Sequence, residues 1–245
     1  MSLPNVIKPK HNYELIRIGK DNDGGYLVGI NTINKTDNLI SFGISDDWSF
    51  EENFFNVNKN INIYAFDNVL DKNWLFKKFI KNLIRFFLLK ISLKELKISL
   101  INVFKINYLK KKLNLVKKNI SYNDVLIFAN KKNIFFKIDI EGSEYRILDE
   151  IVQIQDQLTG FVIEFHDIDL HQKKIENFIK NINLEITHIH PNNYSLPDKN
   201  GNPTTIELTF EKNPLKKNDL PLNLPNELDQ KCDPKSEEYK INFYE

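Results

Sequence analysis

This chain of 245 residues predicts an α/β domain whose mostly parallel sheet ends in an antiparallel hairpin. Three observations carry that expectation. Apolar strands over 61–67, 134–139 and 161–167 all finish on acids, at Asp67, at Asp139 with Glu141 beyond it, and at Glu164 with His166 and Asp167. Helical patterns alternate with these strands, which is how right-handed β-α-β crossovers are built. Two β-rich runs at 184–190 and 204–210 then follow each other with turn residues between them, so they should pair antiparallel. Open sheets of this kind place ligands just past the carboxyl ends of their strands. An acid at that edge is solvated, binds something or moves a proton, because burying an unpaired carboxylate is expensive.

In chain order, 16–28 reads as two short strands around Asp23-Gly24-Gly25, whose glycines allow the positive φ of a tight turn. Residues 39–43 form a short strand ending at Gly43. Helical spacing over 46–57 has Asp46 or Asp47 as its N-cap. After the strand to Asp67, the segment 71–118 predicts two or three helices and a strand near its end. A short helix over 122–129 leads into the strand to Asp139. A helix over 143–154 follows, in which Glu144 reads as a first-turn acid favoured by the helix dipole. The strand to Phe165, a helix over 170–181 and the terminal hairpin complete the series. From about 214 to 245 a proline- and charge-rich tail reads as an extended strap. The whole is one domain with a basic helical insertion at about 71–118.

Composition narrows the setting. The single cysteine, Cys232, excludes an intramolecular disulfide framework and fits a reducing, cytoplasmic compartment. The first five residues lack a basic-then-apolar pattern, so no secretory signal is expected. No apolar run approaches the roughly 20 residues that span a bilayer. Net charge is +1, yet 71–118 holds 14 Lys and Arg against Asp71 and Glu95, so the remainder is acidic by about the same margin. Leu75, Phe76, Phe79, Ile80, Leu83, Phe86 and Phe87 recur there at helical spacing. Packing on the sheet, peripheral contact with an anionic membrane at the inner membrane face, and a lid attracting an anionic acceptor are the competing readings. Nucleic acid is not expected, because the rest of the chain is acidic and no recognition motif accompanies the basic stretch.

Gly43 ends a strand and a helix begins soon after, which lets backbone approach a ligand. No G-x-G-x-x-G or G-x-x-x-x-G-K-[ST] occurs, which disfavours a pyrophosphate cradle. Asp67 lies 24 residues beyond Gly43 at the next strand end, where an acid can accept hydrogen bonds from a ribose diol. An absent phosphate loop with a retained ribose acid points to S-adenosylmethionine. Asp139, Glu141, Glu164 and His166 are the candidates for chemistry. His166 has the most suitable unperturbed pKa, near 6.5, for a general base. Asp139, Glu164 and His166 are also an oxygen-rich donor set for Mg²⁺ or Mn²⁺, a reading not favoured because their spacing is no tight ligand motif. His188, His190 and His171 read as structural or solvated.

The segments Lys137-Ile138-Asp139-Ile140-Glu141-Gly142-Ser143-Glu144, Tyr64-Ala65-Phe66-Asp67 and Val162-Ile163-Glu164-Phe165-His166 together resemble the FkbM-type S-adenosylmethionine-dependent methyltransferases. The likeness extends to Arg17-Ile18-Gly19, Asp23-Gly24-Gly25-Tyr26 and the run from Ser41 to Glu51, and so covers roughly 16–210 without the basic insertion. It implies a Rossmann-like, seven-stranded class I methyltransferase sheet. It also implies S-adenosylmethionine held by Phe42, Gly43, Ser45, Asp67, Asn68 and Asp139, with Gly24 and Gly25 folded over the site. Most of the class has an acid before a G-x-x-x-G turn at the first strand, where this chain has Ser41-Phe42-Gly43-Ile44-Ser45-Asp46. The implied acceptor is a hydroxyl on a sugar or glycan precursor. N-methylation of a phosphoramidate or amino sugar and a non-catalytic membrane-associated module are the alternatives.

Overall fold

The computed structural model describes residues 2–218 and 221–244. Met1, Asp219, Leu220 and Glu245, and with them parts of the expected start and strap, lie outside the described residues. The chain opens with β1 (Ser2–Pro4), β2 (Asn12–Tyr13), β3 (Leu15–Gly19) and β4 (Gly25–Gly29). Then come α1 (Ile30–Asn34), β5 (Asn38–Phe42), α2 (Ser49–Val57), β6 (Asn62–Asp67), α3 (Lys72–Phe87), α4 (Leu93–Lys112) and β7 (Val116–Lys117). The second half holds α5 (Tyr122–Leu126), β8 (Ile134–Ile138), α6 (Leu148–Gln153), β9 (Leu158–Phe165) and α7 (Ile168–Asn181). It closes with β10 (Glu185–Pro191), β11 (Ile206–Glu211), β12 (Lys216–Asn218) and β13 (Asn242–Tyr244).

Seven strands form one sheet in the order β10-β11-β9-β8-β5-β6-β7. The neighbours from β9 to β7 run parallel, and β11 is antiparallel to both β9 and β10. This is a Rossmann-like α/β sheet with a C-terminal antiparallel hairpin. Strands β5, β8, β9 and β11 are buried along their whole length, which is why they read as nearly continuous apolar runs rather than alternating ones. Successive side chains point to opposite faces. Phe136 therefore joins Phe42, Phe161 and Phe165 in the core under α5, α6 and α7, while Phe135 joins Leu39, Phe54 and Val162 under α2 and the β3–β4 hairpin.

Two local expectations need revision. Helix α2 begins at Ser49, because Asp46 and Asp47 are engaged by Lys78 at 2.7 Å and Lys20 at 3.1 Å. Asp47 still accepts the Ser49 N–H at 3.0 Å. The helix expected over 143–154 is broken into a 3₁₀ turn at Glu144–Arg146 and α6. Its entry is a tight turn with Glu141 and Gly142 at φ +53° and +87°. The insertion is two helices followed by β7, and β7 pairs beside β6 at the sheet edge.

The strap is extended but anchored. Its β12 pairs with β2, and β13 pairs with β1. Asn193 Nδ2 donates to the Asp233 carbonyl at 3.0 Å, and the Tyr239 hydroxyl donates to the Ser195 carbonyl at 2.7 Å.

Candidate active site

The chain leaves β5 toward β6 on one side and returns to β8 on the other. The carboxyl ends of β5 and β8 therefore flank the crevice where the strand order reverses, the place open α/β sheets use for ligands. A cleft of about 480 Å³ opens there, with Gly43, Ser45, Asp67, Asn68 and Asp139 on its walls. Larger recesses of about 750 and 810 Å³ lie at Leu3 and Ile168 and at Tyr13 and Ile186. Neither is at these strand ends.

Asp67 organises the cleft floor. Its Oδ1 accepts the N–H groups of Val69 and Leu70 at 2.8 and 2.7 Å, and Oδ2 accepts that of Ser45 at 2.9 Å. A carboxylate has about four acceptor positions, so one on Oδ2 is left for a ligand. Gly43, at φ +76°, is required by backbone crowding: a Cβ there would stand 1.7 Å from the Asp139 carbonyl oxygen. The bonds Gly43 N–H to Phe66 O (2.9 Å) and Asp139 N–H to Phe42 O (3.1 Å) lock the three strand ends together. Phe42 itself faces the core, stacked on Phe136 at 5.6 Å. Gly24 and Gly25 form the β3–β4 turn, against Lys20 and Arg17, and are not on the cleft walls.

Beneath the cleft lies a buried cation that the sequence reading passed over. Lys137 Nζ donates to the Gly43 carbonyl at 2.7 Å and stands 3.3 Å from Asp139 Oδ2. Burial works against its charge, but Asp139 and the buried Glu51 outweigh that and hold its pKa above the usual lysine value. A lysine inside the run Ile134-Phe135-Phe136-Lys137-Ile138 was the available signal, since a charge is rarely placed in a core strand without a partner.

His166 follows β9 in a nest of carboxylates. Its Nδ1 is 3.0 Å from the fully buried Glu144, and its Nε2 is 3.5 Å from Glu141 and 3.8 Å from Glu164. Glu144 also accepts the N–H groups of Ile140 and Gly142 at 3.1 and 3.2 Å. It is thus a positioning residue of the site and not an acid at a helix dipole. Tyr145 donates to the His166 carbonyl at 2.5 Å, and His171 packs on the Tyr145 ring at 3.9 Å.

Burial opposes the charge on His166, but the bond to Glu144 and the field of Glu164 raise its pKa to about 9. That makes it an imidazolium at neutral pH, a donor and not a base. Asp139, Glu164 and His166 bring ligand atoms within 4.8 Å of one another. A metal ion binding there would displace the His166 Nε2 proton, because a ligating imidazole is neutral.

The raised pKa has a measurable consequence. A group whose folded pKa lies above its unfolded value near 6.5 stabilises fully below that pH and loses the contribution as pH rises through about 9. A shift of this size corresponds to ~3 kcal/mol. The stability difference between the protein and His166→Gln, measured by urea unfolding, should therefore be about 3 kcal/mol greater at pH 6 than at pH 10. An equal difference at both pH values would remove the imidazolium.

A second polar row flanks the site on β9, β10 and β11. Glu164 and Glu207 are direct cross-strand partners, and Asn192 Nδ2 donates to Glu164 Oε1 at 2.6 Å. Burial first, then the Asp139 and Glu207 charges, push the Glu164 carboxyl well above the ordinary range. His190, expected to be structural or solvated, is buried between Glu207 at 3.3 Å and Glu238 at 3.6 Å. His188 meets Asp229 at 2.7 Å. Cys232 lies against His190 and Glu207, and burial pushes its thiol up to about 12. The Tyr26 hydroxyl, buried without a hydrogen-bond partner, shares the field of Asp139, Glu164 and Glu207.

No protein-family model matches this chain, and no curated protein matches it. Among solved structures, it is similar to a human methyltransferase 10 domain containing protein. That match has a TM-score of 0.40 and 13% identity, over 72% of each chain. A precorrin-6y C5,15-methyltransferase from Geobacter metallireducens gives 0.39 and 12%, over 75% of this chain and 84% of that one. TrmK of M. capricolum, in complex with S-adenosyl-homocysteine, gives 0.33 and 14%, over 78% and 70%.

Proposed function

We propose that this protein is an S-adenosylmethionine-dependent methyltransferase whose acceptor is a hydroxyl on a sugar or glycan precursor. One observation carries the cofactor reading: the cleft at the β5–β8 reversal combines Gly43, Asp67 and Asp139 on its walls with a chain that lacks any phosphate-binding glycine loop. The acceptor class rests on the resemblance of the strand-end motifs. The open Oδ2 position of Asp67 accepts a ribose hydroxyl, and Ser45 and Asn68 border the same part of the cleft. Asp139 faces the sulfonium end, where its charge attracts the cationic sulfur.

Bound S-adenosylmethionine would supply an electrophilic methyl group to the acceptor oxygen, its carbon–sulfur bond breaking as the new carbon–oxygen bond forms, and Asp139 would take the hydroxyl proton. A base positioned in this way contributes roughly 10²–10⁴-fold. His166, as an imidazolium held by Glu144, orients the acceptor by donating from Nε2. The reading places the protein on the cytoplasmic side of a membrane, where activated sugars are handled. Among the described residues no helix is long and apolar enough to cross one.

The test is binding of S-adenosylhomocysteine, with NAD as the comparison. At 100 times its dissociation constant the ligand should add about 2.7 kcal/mol to stability, visible as a rise in melting temperature. No rise with S-adenosylhomocysteine, or an equal rise with NAD, would end the cofactor proposal. Asp67→Ala should bind it roughly 10- to 100-fold more weakly, the worth of a hydrogen bond to a charged group. Unchanged affinity in a folded variant takes Asp67 out of the ribose role.

A further inference from the structure

We propose that the α3–α4 hairpin docks this protein on an anionic lipid bilayer, with the turn between the helices inserted at the head-group level. The two ends of the hairpin differ in how they are used. At its base, Leu75, Val103, Ile106 and Leu109 are buried in the core beneath the sheet. Lys78 pairs with Asp46 at 2.7 Å, and Asn102 Nδ2 donates to the Asp46 carbonyl at 2.8 Å, so the base is fastened to the loop that follows Gly43.

Other apolar side chains of the hairpin have no such partner surface. Phe76, Ile80 and Ile84 stand four residues apart on α3 and are all exposed. At the turn, Phe87 is 76% exposed, Leu88 60% and Leu89 91%. On α4, Ile101, Phe104 and Tyr108 are likewise exposed at helical spacing. Scattered single apolar residues need no explanation, but a contiguous patch of this kind marks an interaction surface. Leu89 sharpens the point, because it also has φ +55°. A left-handed turn position in water suits glycine or asparagine, and a fully hydrated leucine there gains nothing for the fold.

Charge identifies the occupant. Lys81, Arg85, Lys90, Lys94, Lys97 and Lys105 are all exposed around the patch. Over 71–118 there are 14 basic residues against two acids. Apolar side chains ringed by lysines are the chemistry that enters an anionic head-group layer: the apolar groups reach the acyl boundary and the cations meet the lipid phosphates. A second copy docked face to face would bring two such cationic surfaces together. The proposal is independent of the methyl-transfer reading, because nothing in it requires a bound cofactor.

The experiment is co-sedimentation of the full chain with vesicles of phosphatidylcholine mixed with phosphatidylglycerol, and with phosphatidylcholine alone. Binding is expected to the anionic vesicles and to fall with added salt. Phe87→Ser with Leu89→Ser should weaken it by about 100-fold or more. Lys90→Ser with Lys94→Ser should weaken it roughly 30-fold. These positions are exposed, so the variants should melt as the parent does. In Leu89→Trp, the added fluorescence should shift to shorter wavelength only with anionic vesicles. Absence of binding, equal binding to both vesicles, binding indifferent to the turn substitutions, or a lipid-free dimer dispersed by them would each overturn the proposal.

Discussion

Replacing Lys137 by methionine is expected to lower the unfolding free energy by about 3–5 kcal/mol, the range found when one partner of a buried charge group is removed. Methionine fills much of the same space, so the loss is electrostatic rather than a cavity. The Gly43 carbonyl would lose its donor at 2.7 Å, and Asp139 and Glu51 would lose the cation both depend on. Glu51 is the most exposed to this loss. Its two oxygens are buried without a hydrogen-bond partner, and burial already raises its pKa against the pull of Lys137. Urea denaturation measures the effect. Adding Glu51→Gln to Lys137→Met should recover part of the loss, which is the coupling a double-mutant cycle reads. A loss below about 1 kcal/mol in the single variant would show that Lys137 is not the hub of this charge group.

Gly43→Ala should act at the same place by a different route. The left-handed backbone costs a non-glycine residue about 1–2 kcal/mol. The new Cβ, built 1.7 Å from the Asp139 carbonyl oxygen, forces the β5 and β8 ends apart. Overpacking of this kind costs a further 1–3 kcal/mol, giving roughly 2–5 kcal/mol in all. The neighbour here is backbone and cannot rotate away. The variant should therefore also bind S-adenosylhomocysteine poorly, since Ser45 and Asp139 would leave their present positions. Full stability with normal binding would mean that the strand ends tolerate separation and that Gly43 is only a turn residue.

Much of the site could be read from the chain. Asp67, Asp139 and His166 each end an apolar run, and parallel strands must bring such ends to one edge. The structure does so, and it places Gly43 between them. The Phe42 side chain belongs to the core, because β5 is buried on both faces, so only its backbone stands at the strand end beside the cleft. Gly24 and Gly25 were placed over the site, yet they serve the turn that brings β3 back along β4. Glu144 was read as an acid at the start of a helix. The expected helix is interrupted at Ile147, between the 3₁₀ turn and α6, and the Glu144 carboxylate meets His166 after the left-handed Glu141-Gly142 turn.

The sequence by itself determined the sheet, its antiparallel ending, the row of strand-end acids and the basic insertion. Those depend on local periodicity and on residue type, which a linear pattern carries in full. Tertiary structure alone decided which charges meet. Glu164 faces Glu207 only through the β9–β11 register, and Cys232 reaches His190 only because the strap is anchored across β10 and β11. The proton on His166 was decided in the same way, by Glu144, Glu164 and Asp139 from two separate segments. Electrostatic energy depends on distance and burial, and neither exists until the chain has closed around the site.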